Sequence, residues 1–566
     1  MKQLLYILIL TIGSNTYSQN FYLKIKGLNE KETLIIDSLH YTTKHPNLKL
    51  LFEEINNSEK KLSKKGYLDN NTLENKRIND STYQSIISLK TRTKYIHIYI
   101  GRNNSFFNTD EVKNDTLKIP YEQLENLFNQ KIIDAEKQGY ALSKLRLDNI
   151  RRKNSIIYGD LNFNTEKKRE VNSIIINYVN SNRKDIFPKG HLKHLNKKYT
   201  GKTFNQETIK ELYTDLNNYE FITQTKYPEI LFTNDSTKIY TYLEKRKANT
   251  FDGYIGFTNN ESRKVSFNGY LDITLQNTLR AGEQFSLYWK SDGNQQTTFN
   301  AKIEIPYIFK SSFGIKAQLN IFKQDSTFQN SKTGINLGYY INYNSKFYLG
   351  YQSTESSDIQ NRNNSSISDF KNSYLTSTFE YKKTDLINYL LPKKMNVNFT
   401  IGYGTRNTNN QPETVKSSKQ FYYNFEFYYN FELNNTNFIN INSQNFYLKS
   451  KNYITNELFR FGGINSIRGF LENSLQANFT TSILTEYRYV VSKNLYIHSI
   501  TDYAVYQDLT RITDRNKINK LIGIGAGTGI LTPNGLLKIT LTNGASNIQE
   551  LQLYNTIINI CYNVKF

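Results

Sequence analysis

The chain has little of several features that commonly stabilise a protein or place it in a membrane. It contains one cysteine and 8 prolines in 566 residues. The single cysteine, Cys561, excludes an internal disulfide framework and a cysteine-ligated zinc site. Mean hydropathy is −0.61, and no later segment approaches the roughly 18 consecutive apolar residues that a transmembrane helix needs. The sequence therefore excludes a helical membrane protein.

Catalytic and metal-binding motifs are also lacking. No G-x-S-x-G elbow, phosphate-binding Walker loop or H-E-x-x-H motif occurs. His191 and His194 lie one helical turn apart, but no cysteine or evident third ligand accompanies them. We therefore expect these histidines on a surface helix face, with no metal site. We predict that the protein is not an enzyme and has no cofactor.

Aromatic and basic residues are abundant. The chain has 44 tyrosines and 34 phenylalanines, which suit the pleated surface of a β-sheet. Its 72 basic and 50 acidic side chains give a formal charge of +22. Such an excess fits nucleic acid, anionic lipid or a lysine-rich codon bias. Because the charge is spread over both halves of the chain, we favour the bias and expect no nucleic-acid partner.

The N-terminus has the pattern of an export signal. Lys2 precedes an apolar run from Leu4 to Ile12, which is too short to span a bilayer. Small residues follow, and cleavage after Ser18 would leave Gln19 first. Residues 1–18 are therefore interpreted as a secretory signal peptide, which predicts an exported protein that is either soluble or a β-barrel.

The first half of the mature chain repeats a mixed α+β pattern. Amphipathic stretches end at Gly66 and at Gly139, about 73 residues apart, and each glycine is followed by tyrosine. We predict three modules, at residues 19–105, 106–168 and 169–248. The alternating segment Lys94–Ile100 is assigned to the close of the first module. Three unrelated α+β stretches are the alternative.

The second half, residues 249–566, alternates apolar and polar residues in segments of about ten. In the last segment the outer face would carry Ile558, Ile560, Tyr562, Val564 and Phe566, and the inner face Asn559, Cys561, Asn563 and Lys565. This period of two is typical of a transmembrane barrel strand, and the length allows about 16 strands. The fold class predicted is therefore α+β repeats followed by an antiparallel transmembrane β-barrel. A soluble β-sandwich or propeller is the alternative.

A long connection, Glu457–Phe470, carries the most distinctive residues of this half, ELFRFGGINSIRGF. If it folds into the barrel lumen, Arg468 needs a carboxylate there, because an unpaired buried charge is costly. Asp502 is the first candidate for that partner and Glu486 the second. Gly469 would permit a tight tip.

A glycine stripe follows in the segment LIGIGAGTGI. Its alternate residues share one strand face: Gly523, Gly525, Gly527 and Gly529. A glycine stripe that faces the lumen would leave room for the folded connection. A dinucleotide-binding fingerprint does not fit, because the glycines recur at every second residue and no helix follows.

This ordered set of residues resembles the outer-membrane protein insertase superfamily, over essentially the whole mature chain. Its conserved sixth extracellular loop is matched by Gly462, Gly463, Arg468, Gly469 and Phe470. Its acidic positions on the next two strands are matched by Glu486 and Asp502, whereas Ala504 stands where the family usually has glycine. The N-terminal repeats resemble the superfamily's POTRA modules.

The resemblance implies an outer-membrane protein of a Gram-negative-type bacterium with its modules in the periplasm. Implied partners are unfolded outer-membrane protein clients, outer-membrane lipid and a periplasmic accessory protein. Three modules most resemble TamA-type members, whereas BamA-type members usually have five. A secretion pore for one dedicated partner protein and a passive porin are the alternative functions.

The implied mechanism is non-covalent and depends on the barrel seam. The first barrel strand, around Tyr254–Phe257, must pair with the last, Thr556–Phe566, to close the barrel. A weak seam could open sideways and template the strands of a client. Gly253 and Gly256 would weaken the first strand, and Phe566 resembles the terminal signal that the assembly machinery recognises.

Overall fold

The computed structural model describes residues 20–101, 106–107, 115–179, 186–259, 265–291, 296–360, 367–385, 388, 390–408, 417–511, 517–547 and 550–566, with the backbone alone at 254–259 and 265–268. The predicted signal peptide, residues 1–18, lies outside these ranges. The chain divides into two compact units, residues 1–170 with 203–207 and residues 171–202 with 208–566. Within the described ranges, no helix is long and apolar enough to cross a membrane.

The first module is a four-stranded sheet packed on two helices. Its strands are β1 (Phe21–Lys26), β2 (Lys44–His45), β3 (Asn71–Arg77) and β4 (Thr82–Ser88), in the order β2-β1-β4-β3, and its helices are α1 (Glu30–Asp37) and α2 (Leu48–Lys64). Helix α2 begins at Asn47, whose side chain accepts a hydrogen bond from the N–H of Leu50. Its buried residues Leu51, Ile55 and Leu62 share one helical face and pack on the sheet.

The second module has the same plan. Its strands are β5 (Tyr95–Tyr99), β6 (Thr116–Pro120), β7 (Lys144–Lys153) and β8 (Ile156–Asn164), in the order β6-β5-β8-β7, with helix α3 (Leu124–Lys137). The structure differs here from the predicted boundary at residue 105, because β5 pairs with β6 and β8. The alternation of Lys94–Ile100 indicates a strand but carries no information about which sheet it joins.

The repeated glycine–tyrosine element ends helices α2 and α3 in the same way. Gly66 and Gly139 have φ values of 95° and 101°, in the left-handed region that favours glycine. The N–H of the following tyrosine donates to a helix carbonyl five residues back, from Tyr67 at 3.1 Å and from Tyr140 at 2.9 Å. The two helix ends are therefore built alike.

The third module consists of a three-stranded sheet and two helices. Its elements are β9 (Ser173–Tyr178), α4 (Lys189–Tyr199), α5 (Gln206–Asn217), β10 (Ile222–Phe232) and β11 (Thr237–Lys245), and the strand order is β10-β11-β9. The pair β9–β11 is parallel, as are β1–β4 and β5–β8 in the other two modules. Each module is thus an α+β unit around a parallel pair.

A closed antiparallel barrel follows. Within the described chain it has 16 strands: β12 (Thr250–Asn259), β13 (Val265–Gln276), β14 (Gln284–Ser291), β15 (Gln296–Ile305), β16 (Phe313–Gln324), β17 (Phe328–Tyr340), β18 (Ser345–Asp358), β19 (Phe370–Thr384), β20 (Lys393–Thr408), β21 (Ser417–Glu432), β22 (Asn437–Lys449), β25 (Phe479–Ser492), β26 (Leu495–Gln507), β27 (Asn519–Thr532), β28 (Gly535–Ser546) and β29 (Ile557–Lys565). A short hairpin of β23 (Phe459–Phe461) and β24 (Leu475–Ala477) lies in the connection from β22 to β25. The predicted fold class, α+β repeats followed by a barrel of 16 strands, is confirmed.

The barrel wall is apolar outside and polar inside. Outward residues such as Leu375 and Leu349 are 71% and 59% exposed, whereas the inward Gln420 and Arg406 are 1% and 2% exposed. This arrangement is the reverse of that of a water-soluble protein. It is the arrangement expected of a barrel whose outer surface contacts lipid.

Helix α4 of the third module packs against the barrel turns. His191 is fully buried, with its ring 4.6 Å from that of Tyr307 and 5.4 Å from that of Tyr219. A Cβ on Gly282, in the β13–β14 turn, would lie 1.9 Å from the His191 ring. The expectation of a surface position for His191 is therefore wrong, because the helix face that carries it is covered by the barrel.

An ion pair reinforces this contact. The carboxylate of Glu220 lies 2.6 Å from Nζ of Lys382 in β19, and Gln276 of β13 donates a hydrogen bond to the same carboxylate. Burial by itself would raise the pKa of Glu220, but Lys382 and Gln276 outweigh burial and hold that pKa below its ordinary value. The third module is therefore joined to the barrel by both aromatic packing and charge.

Candidate functional site

The connection between β22 and β25, here called the lumen loop (residues 450–478), folds back into the barrel and places Arg468 at the inner wall. Nε and Nη2 of Arg468 donate to the two carboxylate oxygens of Asp502 on β26, at 2.7 and 2.5 Å. The Arg468 backbone N–H also donates to Asp502, at 3.2 Å. Arg468 is 6% exposed and Asp502 is fully buried. The structure thus brings together the arginine and the first predicted partner.

Glu486, the second predicted partner, contacts the same arginine. It accepts a hydrogen bond from Nη1 of Arg468, and its other oxygen accepts from Arg488 of β25 at 2.7 Å. Arg488 in turn donates to the hydroxyl of Tyr428 on β21, at 3.3 Å. Two guanidinium groups and two carboxylates therefore form one connected network along the wall. Such a network satisfies buried charges that would each be costly alone.

Glycines let the loop tip lie directly on the wall. Gly469 has φ 87°, and a Cβ there would lie 2.3 Å from the backbone carbon of Asn543 on β28. On β27, a Cβ at Gly523 would lie 2.3 Å from the carbonyl oxygen of Arg468. Gly544 of β28, which sequence reasoning did not single out, would similarly meet the carbonyl oxygen of Gly469 at 2.6 Å. Substituting any of these glycines would push the tip off the wall.

The rest of the predicted glycine stripe does not contact the loop backbone. A Cβ at Gly527 would meet the ring of His498, and one at Gly529 the ring of Tyr496, both from β26. A Cβ at Gly525 would meet the carbonyl oxygen of Leu541 on β28. Only the Gly523 end of the stripe accommodates the loop, and the other three positions make room for neighbouring strands.

An apolar cluster surrounds the charged network at the tip. The aromatic side chain of Phe470 is 7% exposed. It belongs to a cluster of loop and wall residues: Phe461, Ile467, Phe470, Ala477, Leu484, Ala504, Tyr506 and Leu521. Ala504, the departure from the family's glycine, is fully buried within this cluster. Its methyl group therefore contributes to the surface on which the loop packs.

The glycine pair Gly462–Gly463 brings the two arms of the loop together. Both have positive φ, 107° and 98°. A Cβ at Gly462 would lie 2.6 Å from the carbonyl oxygen of Leu471, and one at Gly463 would lie 3.0 Å from Cα of Glu472. The pair thus allows the chain after the tip to lie against the chain before it.

The base of the lumen loop is fixed to the opposite wall by a second buried ion pair. Arg406 of β20 pairs with Glu457, and both side chains are almost fully buried. Glu457 also accepts from Gln420 of β21 at 2.9 Å, and the amide of Asn456 donates to Ser356 of β18 at 2.7 Å. Sequence reasoning missed Arg406 and Asn456, because residues so far apart in sequence meet only once the barrel closes.

The barrel seam is short. Strand β12 pairs with β29 at only two positions among the described residues, Thr250 with Lys565 and Phe251 with Val564. By contrast, β28 and β29 pair at eight positions, and β20 and β21 at thirteen. One further hydrogen bond runs from the N–H of Phe566 to the carbonyl of Asn249, at 3.0 Å. Few backbone hydrogen bonds therefore hold the barrel closed.

Not all of the predicted seam residues lie where β12 pairs with β29. The predicted segment Tyr254–Phe257, which includes Gly256, pairs in the described structure with β13 and not with β29. Gly253 lies beside the paired positions, and a Cβ there would lie 2.5 Å from the carbonyl oxygen of Tyr270. Gly253 thus permits a close approach of β13, in addition to any weakening of β12.

Comparison with known proteins supports the architecture. No family model matches the sequence, and no curated protein matches it. Among solved structures, CdiB from Acinetobacter baumannii is similar at 13% identity and a TM-score of 0.51, over 80% of this chain and 83% of that one. BamA from Haemophilus ducreyi lacking POTRA domains 1–3 aligns at 14% identity and a TM-score of 0.47, over 78% of this chain and 93% of that one.

The fold thus defines the class of protein. The chain shares its fold with CdiB: α+β modules are followed by a closed barrel that has 16 strands over the described residues. At this level of identity the comparison shows a shared fold. What the chain does with that fold has to be argued from its lumen loop and its seam.

Proposed function

We propose that this protein is an outer-membrane assembly factor that inserts or translocates client proteins, with its N-terminal modules in the periplasm. The β12–β29 seam opens sideways and offers its unpaired strand edges to an extended client segment. The mechanism is non-covalent, since strand addition needs only backbone donors and acceptors and a partner in extended conformation. The apolar outer wall and the closed barrel support the outer-membrane location.

One observation carries this proposal, the two-position pairing of the seam. In lipid every unpaired backbone group costs several kcal/mol, so a barrel normally pairs all of its strands along their length. A seam that pairs only Thr250 and Phe251 with Val564 and Lys565 leaves most of β29 with backbone groups that β12 does not satisfy. A client strand added at that edge would satisfy them. The free-energy cost of opening is correspondingly small.

The lumen loop argues against a passive porin. The loop crosses the lumen and is held to both walls by buried ion pairs, at Arg468 and at Arg406. A polar cavity of about 230 Å³ lies beside it, and the loop residue Phe459 forms part of the lining. A lumen occupied in this way predicts a small, unsteady conductance, whereas a porin would give a large, steady one.

A disulfide across the seam tests the proposal. Cysteines at Phe251→Cys and Val564→Cys, in a Cys561→Ser background, face each other in the ladder and can be oxidised to lock the seam. We expect oxidation to abolish client assembly into liposomes and reduction to restore it. The matched control is Tyr403→Cys with Phe421→Cys, which joins two fully paired strands of the opposite wall. Assembly that continues with the seam locked would contradict the proposal.

The range of clients distinguishes the forms of this function. Depletion of a general assembly factor should lower many outer-membrane proteins. Depletion of a secretion pore for a dedicated partner should remove a single exported protein and leave the others unchanged. Quantitative proteomics of outer-membrane and secreted fractions after depletion separates these outcomes.

A further inference from the structure

The tip of the lumen loop lies across the seam. Arg468 contacts β25 and β26, Gly469 lies on β28, and three residues further on Glu472 reaches β14. In the barrel order, β29, β12 and β13 lie between β28 and β14. Residues 468–472 therefore pass over β29 and β12, the two strands of the seam. The tip therefore contacts the wall on each side of the β12–β29 junction.

The contact on the N-terminal side is a single charged group. The carboxylate of Glu472 forms an ion pair with Lys290 of β14 and accepts a hydrogen bond from the hydroxyl of Tyr288 at 3.3 Å. Tyr288 and Lys290 are alternate residues of β14 and so share its lumen face. The side chains of Lys290 and Glu472 are 39% and 29% exposed. Water therefore reaches this pair.

The contact on the C-terminal side is stronger. Arg468 is 6% exposed and bonds to Asp502 through its backbone N–H and two side-chain nitrogens. A buried network of this kind is costly to break, whereas a water-exposed ion pair contributes little. If the two sides of the seam move apart, the loop should stay with β25–β28 and release β14.

The backbone holds Glu472 ready for this contact. Gly463 lies against Glu472, since a Cβ on that glycine would come within 3.0 Å of the Cα and Cβ atoms of Glu472. A Cβ on Gly462 would come closer still, to 2.6 Å from the carbonyl oxygen of Leu471, the residue before Glu472. The position of Glu472 is therefore set by the loop itself and does not depend on Lys290.

We propose that Glu472 is a releasable tie across the barrel seam. While it is paired with Lys290, the loop tip bridges β28 and β14 and holds β12 against β29. When the pair dissociates, the N-terminal side of the seam is free to move while Arg468 keeps the loop on the other side. This regulation concerns the seam of the proposed function and rests on that function for its purpose, although the tie itself is a property of the barrel without a client.

The test measures seam closure directly. The reporter is the rate of disulfide formation between Phe251→Cys and Val564→Cys, in a Cys561→Ser background, in lipid vesicles without client. We expect Glu472→Gln to slow that reaction about two- to tenfold, the scale of losing one partly exposed ion pair. The matched control is Glu432→Gln, which removes an ion pair of similar exposure between β20 and β21, away from the seam, and should leave the rate unchanged.

Exchanging the two charges provides a second test of the Glu472–Lys290 pair. Glu472→Lys combined with Lys290→Glu restores opposite charges, so the double variant should regain most of the wild-type rate while Glu472→Lys alone should not. The faster migration of unheated samples in detergent gels confirms that each barrel is folded. If Glu472→Gln does not fold, Lys290→Gln removes the same pair from the wall side. An unchanged seam rate in folded Glu472→Gln or Lys290→Gln, or no recovery in the double variant, overturns the proposal.

Client assembly in the same vesicles separates this inference from the proposed function. If Glu472→Gln loosens the seam but the disulfide-locked protein still assembles clients, the tie is supported and the function fails. If the lock blocks assembly but Glu472→Gln leaves the seam unchanged, the function is supported and the tie fails.

Discussion

The two sides of the barrel seam are held by different parts of the molecule. On the N-terminal side, the turns after β13 and β15 pack on His191 of the third module, and Lys382 of β19 pairs with Glu220. On the C-terminal side, β25–β28 are held by the tip of the lumen loop through Arg468 and Gly469. The seam is the line where these two assemblies meet.

Under the proposed function, this difference would let the barrel open without unfolding. Each side is held by its own set of contacts, here called a brace. The N-terminal brace is the third module and the C-terminal brace is the tip of the lumen loop. Parting at β12–β29 therefore breaks few backbone hydrogen bonds and leaves both braces intact. Among the described residues, the contacts across the line include two ladder positions, the Phe566–Asn249 hydrogen bond and the contacts of Glu472 with Lys290 and Tyr288. A uniform barrel, paired over thirteen positions like β20–β21, could not part at comparable cost.

Removal of Arg468 should produce the largest loss of loop anchoring and of client assembly. Arg468→Ala leaves Asp502 buried without its partner, a loss of about 3–5 kcal/mol in loop anchoring. The barrel should still fold, but the C-terminal side loses its brace, and client assembly should fall at least tenfold. Limited proteolysis of the loop and an assembly assay in liposomes measure the two consequences.

Arg406→Ala provides the contrast. It removes a similarly buried arginine of β20 that pairs with Glu457 at the base of the same loop, beside strands that are paired along their length. We expect it to loosen the loop base but to retain more assembly activity than Arg468→Ala. Wild-type assembly with Arg468→Ala, or equal losses in the two variants, would show that the C-terminal brace has no special role.

Acidification should weaken the docking of the third module on the barrel, by less than Arg468→Ala weakens the anchoring of the loop. Burial, with smaller contributions from Lys346 and His194, lowers the pKa of His191 to about 3. As pH falls below the ordinary histidine pKa of about 6.5, His191 binds a proton in the undocked module but stays neutral in the docked one. Docking therefore loses stability from that pH downward. By pH 5 the free energy of docking has fallen by about 2 kcal/mol. Spin-label distances between α4 and the β15–β16 turn report the undocked population.

His191→Phe is the control for this pH dependence. Phenylalanine keeps an aromatic ring among Tyr219 and Tyr307 but cannot be protonated, so most of the dependence between about pH 6.5 and 5 should disappear. The lowered pKa of Glu220 adds a loss only below its ordinary range, at lower pH. A wild-type pH response in His191→Phe would mean that another group controls docking.

Much of this arrangement could be predicted from short-range patterns. The alternation of β29 indicates a barrel strand, and the resemblance of Glu457–Phe470 to a conserved loop of the insertase superfamily implies a folded loop whose arginine needs a carboxylate. Both acidic candidates, Asp502 and Glu486, lie on strands that follow the loop closely, so few alternatives compete. The strand follows from local periodicity and the need for a carboxylate from the cost of a buried charge, whereas the folded loop itself is implied by the resemblance.

Other features depend on long-range closure and could not be predicted. Lys290 and Glu472 are 182 residues apart in sequence, and nothing local links them. The strand Tyr95–Tyr99 has the correct alternation but joins the second sheet, and His191 lies on a helix face that the barrel turns cover. In each case the pattern identifies the element, whereas its partner is determined by tertiary packing.

The most direct test of the account asks which strand a client touches. A photoreactive residue at Phe251 in β12 is compared with one at Tyr403 in β20, which also faces outward but lies in the fully paired wall. With a client arrested during assembly, the account predicts strong cross-linking from position 251 and little from position 403. Equal cross-linking from the two positions, or none from position 251, would contradict the claim that the seam opens to receive clients.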